Sequence, residues 1–523
     1  MRMIVFFLFF TYFFTNCLSI HAQFKLIAEG PKFEEPISGH LKVIQMKNGN
    51  TIYFHLTPKD GINLRVYDAD HKEKISTNFD LGFERVKLAS KEGAMFRSSN
   101  SETIEAIFEI NNELVVFIAE CSKKQSDTYR MIIDLVTGKV KQVKNIFTND
   151  NWSSGLAVKR GEGDSYVIVK EYGNEITHYN ARHEEISKIT YASPLIDDDH
   201  KFLRRVDILV TESDKIYGFY STYGKKKEEG GLYMTSLKQG ASAPEYTKLN
   251  TPNDLIYKGA IAKYNPVSKK IVFLTIAEIK GKNGGYLPLL YIIDPLTLKA
   301  ENIESFYPTE ELQTQFKERY DKKDGYNALP QDMYIHKDGT ISIIYEEMLI
   351  QATSSGNYTR NDVKLGKMVV VTLDENGKFL SNYLVPKAQW STFNELGLFY
   401  HKEPKEKALE LWVGNQYKSY FYLNSAKGQY ILFNDSERNN KVTKDKFTEI
   451  QSVSGCDAFA YKFTGKEIFP DRGYLFGKPA KGNIIAMFLI SDFDAASNIY
   501  VTLKLTKESA RDNLVNLVWL QPE

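Results

Sequence analysis

The feature that most limits how this 523-residue chain can fold is a short unit that keeps returning: an apolar strand, a tight turn, a second apolar strand, then an abrupt polar stop. Clear copies run over Ile107–Glu120 with its turn at Asn111-Asn112, Leu156–Glu171 with a turn at Gly161–Asp164, Ile261–Glu278 with a turn at Pro266–Lys269, and Met333–Glu347 with a turn at Lys337-Asp338-Gly339. Looser copies lie at Val43–Leu56, Ile208–Tyr220, Tyr420–Asp435 and after Lys481-Gly482. Repetition on this scale sets the architecture before any residue chemistry is considered, because one such unit cannot bury its own faces and must stack on its neighbours.

Eight turn anchors mark the units: Gly49, Asn112, Gly163, Asp214, Ser268, Asp338, Gly428 and Gly482. Their spacing is irregular but centred near the length of a four-stranded sheet with its loops. Further strands follow the first hairpins, for example Asn63–Tyr67, Tyr129–Leu135, Leu290–Asp294 and Lys367–Leu373, the last leading into the hairpin turn Asp374-Glu375-Asn376-Gly377. The central strands read as continuous apolar runs, so both of their faces must be covered. Aromatic residues make up 13% of the chain, with 32 Tyr beside 32 Phe, which suits sheets packed face to face with hydroxyls at a wet edge.

Stacked units of about four strands, filling the chain from residue 23 onward, resemble a β-propeller. The fold class expected is therefore all-β, a propeller of seven or eight four-stranded blades forming one domain over 23–523. The resemblance is architectural. The combined Gly-His…Trp-Asp signature, the regular kelch Gly-Gly spacing and the Ser-x-Asp-x-Gly-x-Thr-Trp box of sialidases are all absent, so no family chemistry comes with it. Separate β-sandwiches are the competing architecture, but they would need linkers rich in Pro, Ser and Gly. Ring closure requires a joint: Asn483–Ser491, Asn498–Leu505 and Leu514–Leu520 offer three strands of a last blade, and Phe24–Ala28 offers the fourth. One helix interrupts the strands after unit five. Thr309 caps it, Glu310 and Glu311 fill its first turn, Leu312, Phe316 and Tyr320 share a face, and Gly325 is the expected stop.

Residues 1–22 read as a signal peptide. Arg2 precedes the apolar run Ile4–Phe14, and Ala22 stands at a plausible cleavage point. Asn16, rather than a small residue, precedes Cys17, which argues against lipidation there. The reading is thus of an exported protein, periplasmic, secreted or at the cell surface, with no membrane insertion after signal removal. Removal of this segment takes one Arg and no acid, leaving 66 residues of each sign. That balance disfavours a general nucleic-acid surface. Cys121 and Cys456 fall in distant repeats and are read as unpaired buried thiols.

The candidate ligand-binding residues come from the repeat. Glu120, Glu171, Glu278 and Glu346 each stand eight residues past a turn position, Asn112, Gly163, Lys270 and Asp338, with Asp435 and Asp492 nearby in weaker copies. If the second strand of each blade ends on the face where the innermost strand begins, these carboxylates share one face and would favour a cation, an amine or a polyhydroxylated ligand. The alternative is that a strand end meeting water simply takes a charge. Trp152, in Asn149-Asp150-Asn151-Trp152, could stack a sugar ring or cap a blade, whereas Trp390, Trp412 and Trp519 read as packing residues. Asp197-Asp198-Asp199-His200 lacks the alternating ligands and glycine of a calcium loop. His178 and His183 have no zinc spacing, and Gly477–Gly482 lacks the Lys and Ser/Thr of a phosphate loop. No metal, cofactor or catalytic residue is assigned. The function expected is a non-catalytic binding or interaction protein for an unknown protein or saccharide. A glycan-active enzyme with paired carboxylates, or a plain scaffold, are the alternatives.

Overall fold

Strands such as Glu113–Cys121 and Lys270–Ile279 are buried almost end to end, so their sheets can only be stable between two others. The chain solves this by stacking its sheets around an axis. A computed structural model describes residues 23–80 and 101–523, apart from 122–124, 151–154, 162, 171–174, 191–201, 212–214, 224–229, 239–240, 252–254, 280–284, 305, 356–357, 394–397, 412–413, 442–445, 466–467 and 510–512. Within the described residues, eight antiparallel sheets follow one another in chain order. Their innermost strands are Gly39–Gln45, Ser101–Ile110, Leu156–Arg160, Phe202–Val210, Leu255–Asn265, Leu329–Ile335, Phe421–Ser425 and Asn483–Ala486, in blades one to eight. The fold is an eight-bladed β-propeller, the larger of the two blade numbers expected.

Closure follows the joint read from the sequence. Phe24–Glu29 becomes the outer strand of blade eight, with Leu26 opposite Leu520 on Leu514–Pro522. Trp519 of that last strand is fully buried against blade one. Its indole N–H donates to Thr51 Oγ1 at 2.9 Å, and its ring meets Tyr67 edge-on and stacks on His71. The closing seam thus has both an apolar and a hydrogen-bonded component.

Six of the eight turn anchors mark a first hairpin, and Asp214 lies outside the described residues. Gly482 differs, because the inner edge of blade eight is broken. Asn483–Ala486 and Asp492–Asp494 both pair with Ile499–Lys507, with a 3-10 turn at Phe488–Ile490 between them, so the hairpin turn falls at 495–498. Gly482 stands before that edge with φ 69°, and a Cβ there would lie 2.0 Å from the Lys507 carbonyl oxygen, which explains the glycine.

The inserted helix α1 spans Glu310–Tyr320 between blades five and six. Thr309 Oγ1 accepts from the Leu312 amide at 3.3 Å, and Leu312, Phe316 and Tyr320 are buried as the periodicity requires. The helix stops at Asp321 in the left-handed region, φ 53°, four residues before Gly325, where the Lys322 N–H turns back onto the Lys317 carbonyl at 3.1 Å. Cys121 and Cys456 are buried and unpaired. The segment read as a signal peptide lies outside the described residues, and no described helix is long and apolar enough to cross a membrane.

Candidate functional site

Eight blades leave an axial channel too wide for their own side chains to fill, and this chain fills one end of it with a single excursion. After Gln389–Phe393, an extra strand on blade six, the chain crosses the channel as 398–411 before starting blade seven. Helix α2, Lys402–Glu406, forms the middle of the crossing. Pro404 is its third residue, where its missing N–H costs nothing. Leu409–Leu411 then pairs with Gly39–Leu41, lining the inner edge of blade one with a fifth strand. Phe399 enters at φ 57° and packs on Gly259 of blade five.

Ion pairs and hydrogen bonds run outward from this crossing like spokes. Lys42 of blade one donates to the carbonyls of Pro404 and Lys405. Lys407 pairs with Glu105 of blade two at 3.4 Å, and Glu406 with Lys159 of blade three. Lys402 meets Asp207 of blade four at 2.5 Å and the Ala260 carbonyl of blade five at 3.0 Å. Lys405 pairs with Asp332 of blade six and donates to the Tyr334 hydroxyl. His401 Nε2 and Ser419 Oγ, at the entry to blade seven, are 2.6 Å apart.

Bulges make this wheel possible. The innermost strands of blades two, four, five and six slip register between Ile104 and Ala106, Arg205 and Asp207, Tyr257 and Gly259, and Pro330 and Asp332. A bulge inserts one residue and re-aims the side chains around it. Asp207 and Asp332 each follow a bulge and each accept from the next backbone amide, at 2.8 and 2.9 Å. The same Asp207 Oδ1 also accepts from Lys402 while its Oδ2 accepts from the Ala262 amide of blade five, and Asp332 meets Lys405 through its Oδ2.

Burial sets the protonation of the site. Burial alone would raise the Asp332 carboxyl, but Lys405, Lys263 and His401 hold it below its ordinary value. Burial pushes His401 down to about 3 and His336 down to about 4, so both rings are neutral near pH 7. Burial likewise lowers the Lys42 and Lys263 ammoniums to about 8.

Above α2 the channel remains open as a cavity of about 850 Å³. Its floor is His401 and Pro404–Glu406. Its walls include Lys42, Lys159, Lys263, Tyr334, Tyr420 and Tyr422, and its mouth lies among the first-hairpin turns at Lys337, Ala426 and Ala495. On the other side of α2 a smaller cavity of about 260 Å³ is lined by Leu398, Phe399, Lys402 and Lys407.

Of the described residues singled out in the sequence as ligand-binding candidates, Asp492 lines the larger cavity and the others sit elsewhere. Glu120, Glu278 and Glu346 keep their common register, each opposite the beginning of its blade's innermost strand, at Glu102, Ile256 and Leu329. They are not brought together, and none lines either cavity. Glu120 is buried. Glu278 pairs with Lys258 at 2.6 Å. Glu346 is fully buried, 2.5 Å from Lys387 and 2.5 Å from the Tyr400 hydroxyl. Asp435 accepts from Arg472, Tyr461, Asn439 and the Ser436 amide. Asp492 accepts from the Gln45 amide across the blade eight to blade one seam. Glu171 and Trp152 lie outside the described residues. The channel residues Lys42, Lys159 and Lys263 went unremarked in the sequence. Their signal is a lysine embedded in an apolar innermost strand, in Leu41-Lys42-Val43, Val158-Lys159-Arg160 and Ala262-Lys263-Tyr264.

No family model and no curated protein matches the chain. Among solved structures it is similar to a member of the DUF4221 family from Bacteroides vulgatus, with 11% identity over 68% of this chain and 91% of that one, TM-score 0.32. It is also similar to an ulvan lyase of polysaccharide lyase family 25, with 9% identity over 85% and 97%, TM-score 0.40. A third similar structure is YCF48 from Cyanidioschyzon merolae, with 12% identity over 68% and 90%, TM-score 0.36. Likenesses this distant carry no argument about activity.

Proposed function

We propose that this chain is an exported, non-catalytic β-propeller that binds a small ligand in its axial channel, with α2 as the floor of the site. The observation that supports this reading is the cavity of about 850 Å³, closed at one end and lined by tyrosines and polar groups. Ligand sites are concave, mostly pre-formed and of roughly 300–1,000 Å³. The floor is held from seven blades, so the site needs little ordering when a ligand enters. The paired carboxylates Glu278, Glu346 and Asp435 already have partners, which leaves the channel as the better seat.

The test is a thermal-shift and calorimetric screen of the mature domain against saccharides, organic acids and amines, repeated with Asn424→Trp, which would obstruct the cavity wall at blade seven. Stabilisation by a ligand that the tryptophan abolishes is the expected result. Stabilisation that survives it would move the site, and silence from every ligand would favour a scaffold.

A further inference from the structure

Carboxylates and cations are not equally available inside the channel. Asp338 is spent on the Thr340 amide and hydroxyl, Glu109 on the Asn112 amide, and Asp492 on the Gln45 and Phe493 amides. Asp332 and Glu406 are each taken by a lysine, Lys405 and Lys159. Among the described residues that line the cavity, three lysines have no carboxylate at ion-pair distance: Lys337, which donates to the Ala495 carbonyl at the mouth, and, deeper in, Lys42 and Lys263. In direct contact Lys42 meets the Pro404 and Lys405 carbonyls and Lys263 the face of Tyr334, 5.2 Å from the ring centroid, while Asp492, Asp332 and Glu406 act on them from farther off.

A cation facing a tyrosine ring recovers only about 1–2 kcal/mol, less than a desolvated anion would supply. The same ring carries Lys405 at 4.0 Å, so its negative face is shared by two cations. The cavity is therefore an aromatic-walled space in which Lys42 and Lys263 face the opening without a carboxylate in direct contact. We propose that the ligand of this site is a small organic anion, with carboxylate, sulfate or phosphate oxygens between Lys42 and Lys263 and a ring-sized body against Tyr334 and Tyr422. The proposal rests on the channel being the binding site. An arriving anion would also draw both ammoniums back towards full protonation, so binding near pH 8 takes up protons.

The experiment is calorimetry on the mature protein with digalacturonate, glucose 6-sulfate and glucose 6-phosphate, which separate the three anionic sources. Maltose and spermidine serve as neutral and cationic controls. At least one anion should bind. Lys263→Gln should weaken it about ten- to hundredfold, and Lys263→Arg should retain most of the affinity. Titrations at pH 8 in two buffers of different ionisation enthalpy should differ in apparent heat through proton uptake. Lys42→Gln also loosens α2, so it is read only beside its unfolding temperature. Equal binding of maltose, unchanged affinity in Lys263→Gln, or failure of all three anions would overturn the anion assignment. A maltose or spermidine complex abolished by Asn424→Trp would leave the channel site standing while removing the anion. An anion complex indifferent to Asn424→Trp would remove the channel site itself.

Discussion

Breaking the Glu346–Lys387 pair tests the idea that the channel floor is anchored from the interior of blade six. Both side chains are fully buried, and Glu346 also receives the hydroxyl of Tyr400, the residue that leads into α2. Burial lowers Lys387 from its ordinary value while Glu346 opposes that fall. Lys387→Met would leave Glu346 buried with only neutral partners, and Glu346→Gln would leave a buried ammonium with only an amide opposite. Each should cost about 3–5 kcal/mol, the penalty for one orphaned interior charge. The double variant removes both charges and keeps an acceptor for Tyr400. It should recover most of that loss, giving a coupling of at least about 2 kcal/mol. With an unfolding entropy near 2.1 cal/mol/K per residue, a cooperative ring of about 500 residues changes by roughly 1 kcal/mol per degree, so each single variant should melt only about 3–5 °C lower. Urea unfolding followed by tryptophan fluorescence is the sharper assay. Single variants that each cost under about 1 kcal/mol, or a double variant that costs the sum of the singles, would refute the reasoning.

Three further outcomes follow from buried groups. His401 and His336 are held neutral by burial, down to about 3 and about 4, whereas unfolded histidine titrates near 6.5. For these two rings the unfolded state binds about two more protons near pH 5, so together they lower stability on acidification below 6.5 with a slope that grows to about 2.7 kcal/mol per pH unit by pH 5; a flat urea midpoint between pH 7 and 5 would contradict this, and His336→Gln should remove about half of that share. Trp519→Ala removes the seam between blades eight and one and should cost about 3–5 kcal/mol, with earlier proteolysis of the N-terminal strand as its marker. Cys456, whose thiol burial pushes up to about 12, should resist a disulfide reagent at pH 8 until the protein unfolds; prompt native-state labelling would contradict its burial.

Much of the ring was legible because the signals are local. Alternation of apolar strand and turn residue placed most first hairpins. Thr309 and the Leu312, Phe316, Tyr320 stripe placed α1, and Phe24–Ala28 suggested the closing strand. Local signals failed where a neighbour decides. Gly482 carries a turn residue, yet the broken inner edge of blade eight moved the hairpin to 495–498. The Glu register of blades two, five and six is real, but a register along a strand does not say whether the side chain meets water, Lys258 or Lys387.

The sequence by itself determined an all-β ring of repeated blades closed by its own N-terminal strand, since hydrophobic period and turn chemistry act within a few residues. Only the tertiary structure decided where a ligand could sit. No repeat marks the crossing at 398–411, and the bulges that present Asp207 and Asp332 to it are set by pairing with the neighbouring strand. The lysines of three innermost strands meet only because the ring brings blades one, three and five, distant along the chain, around one axis. Each group gets its charge and its partners from residues that only closure of the ring makes neighbours.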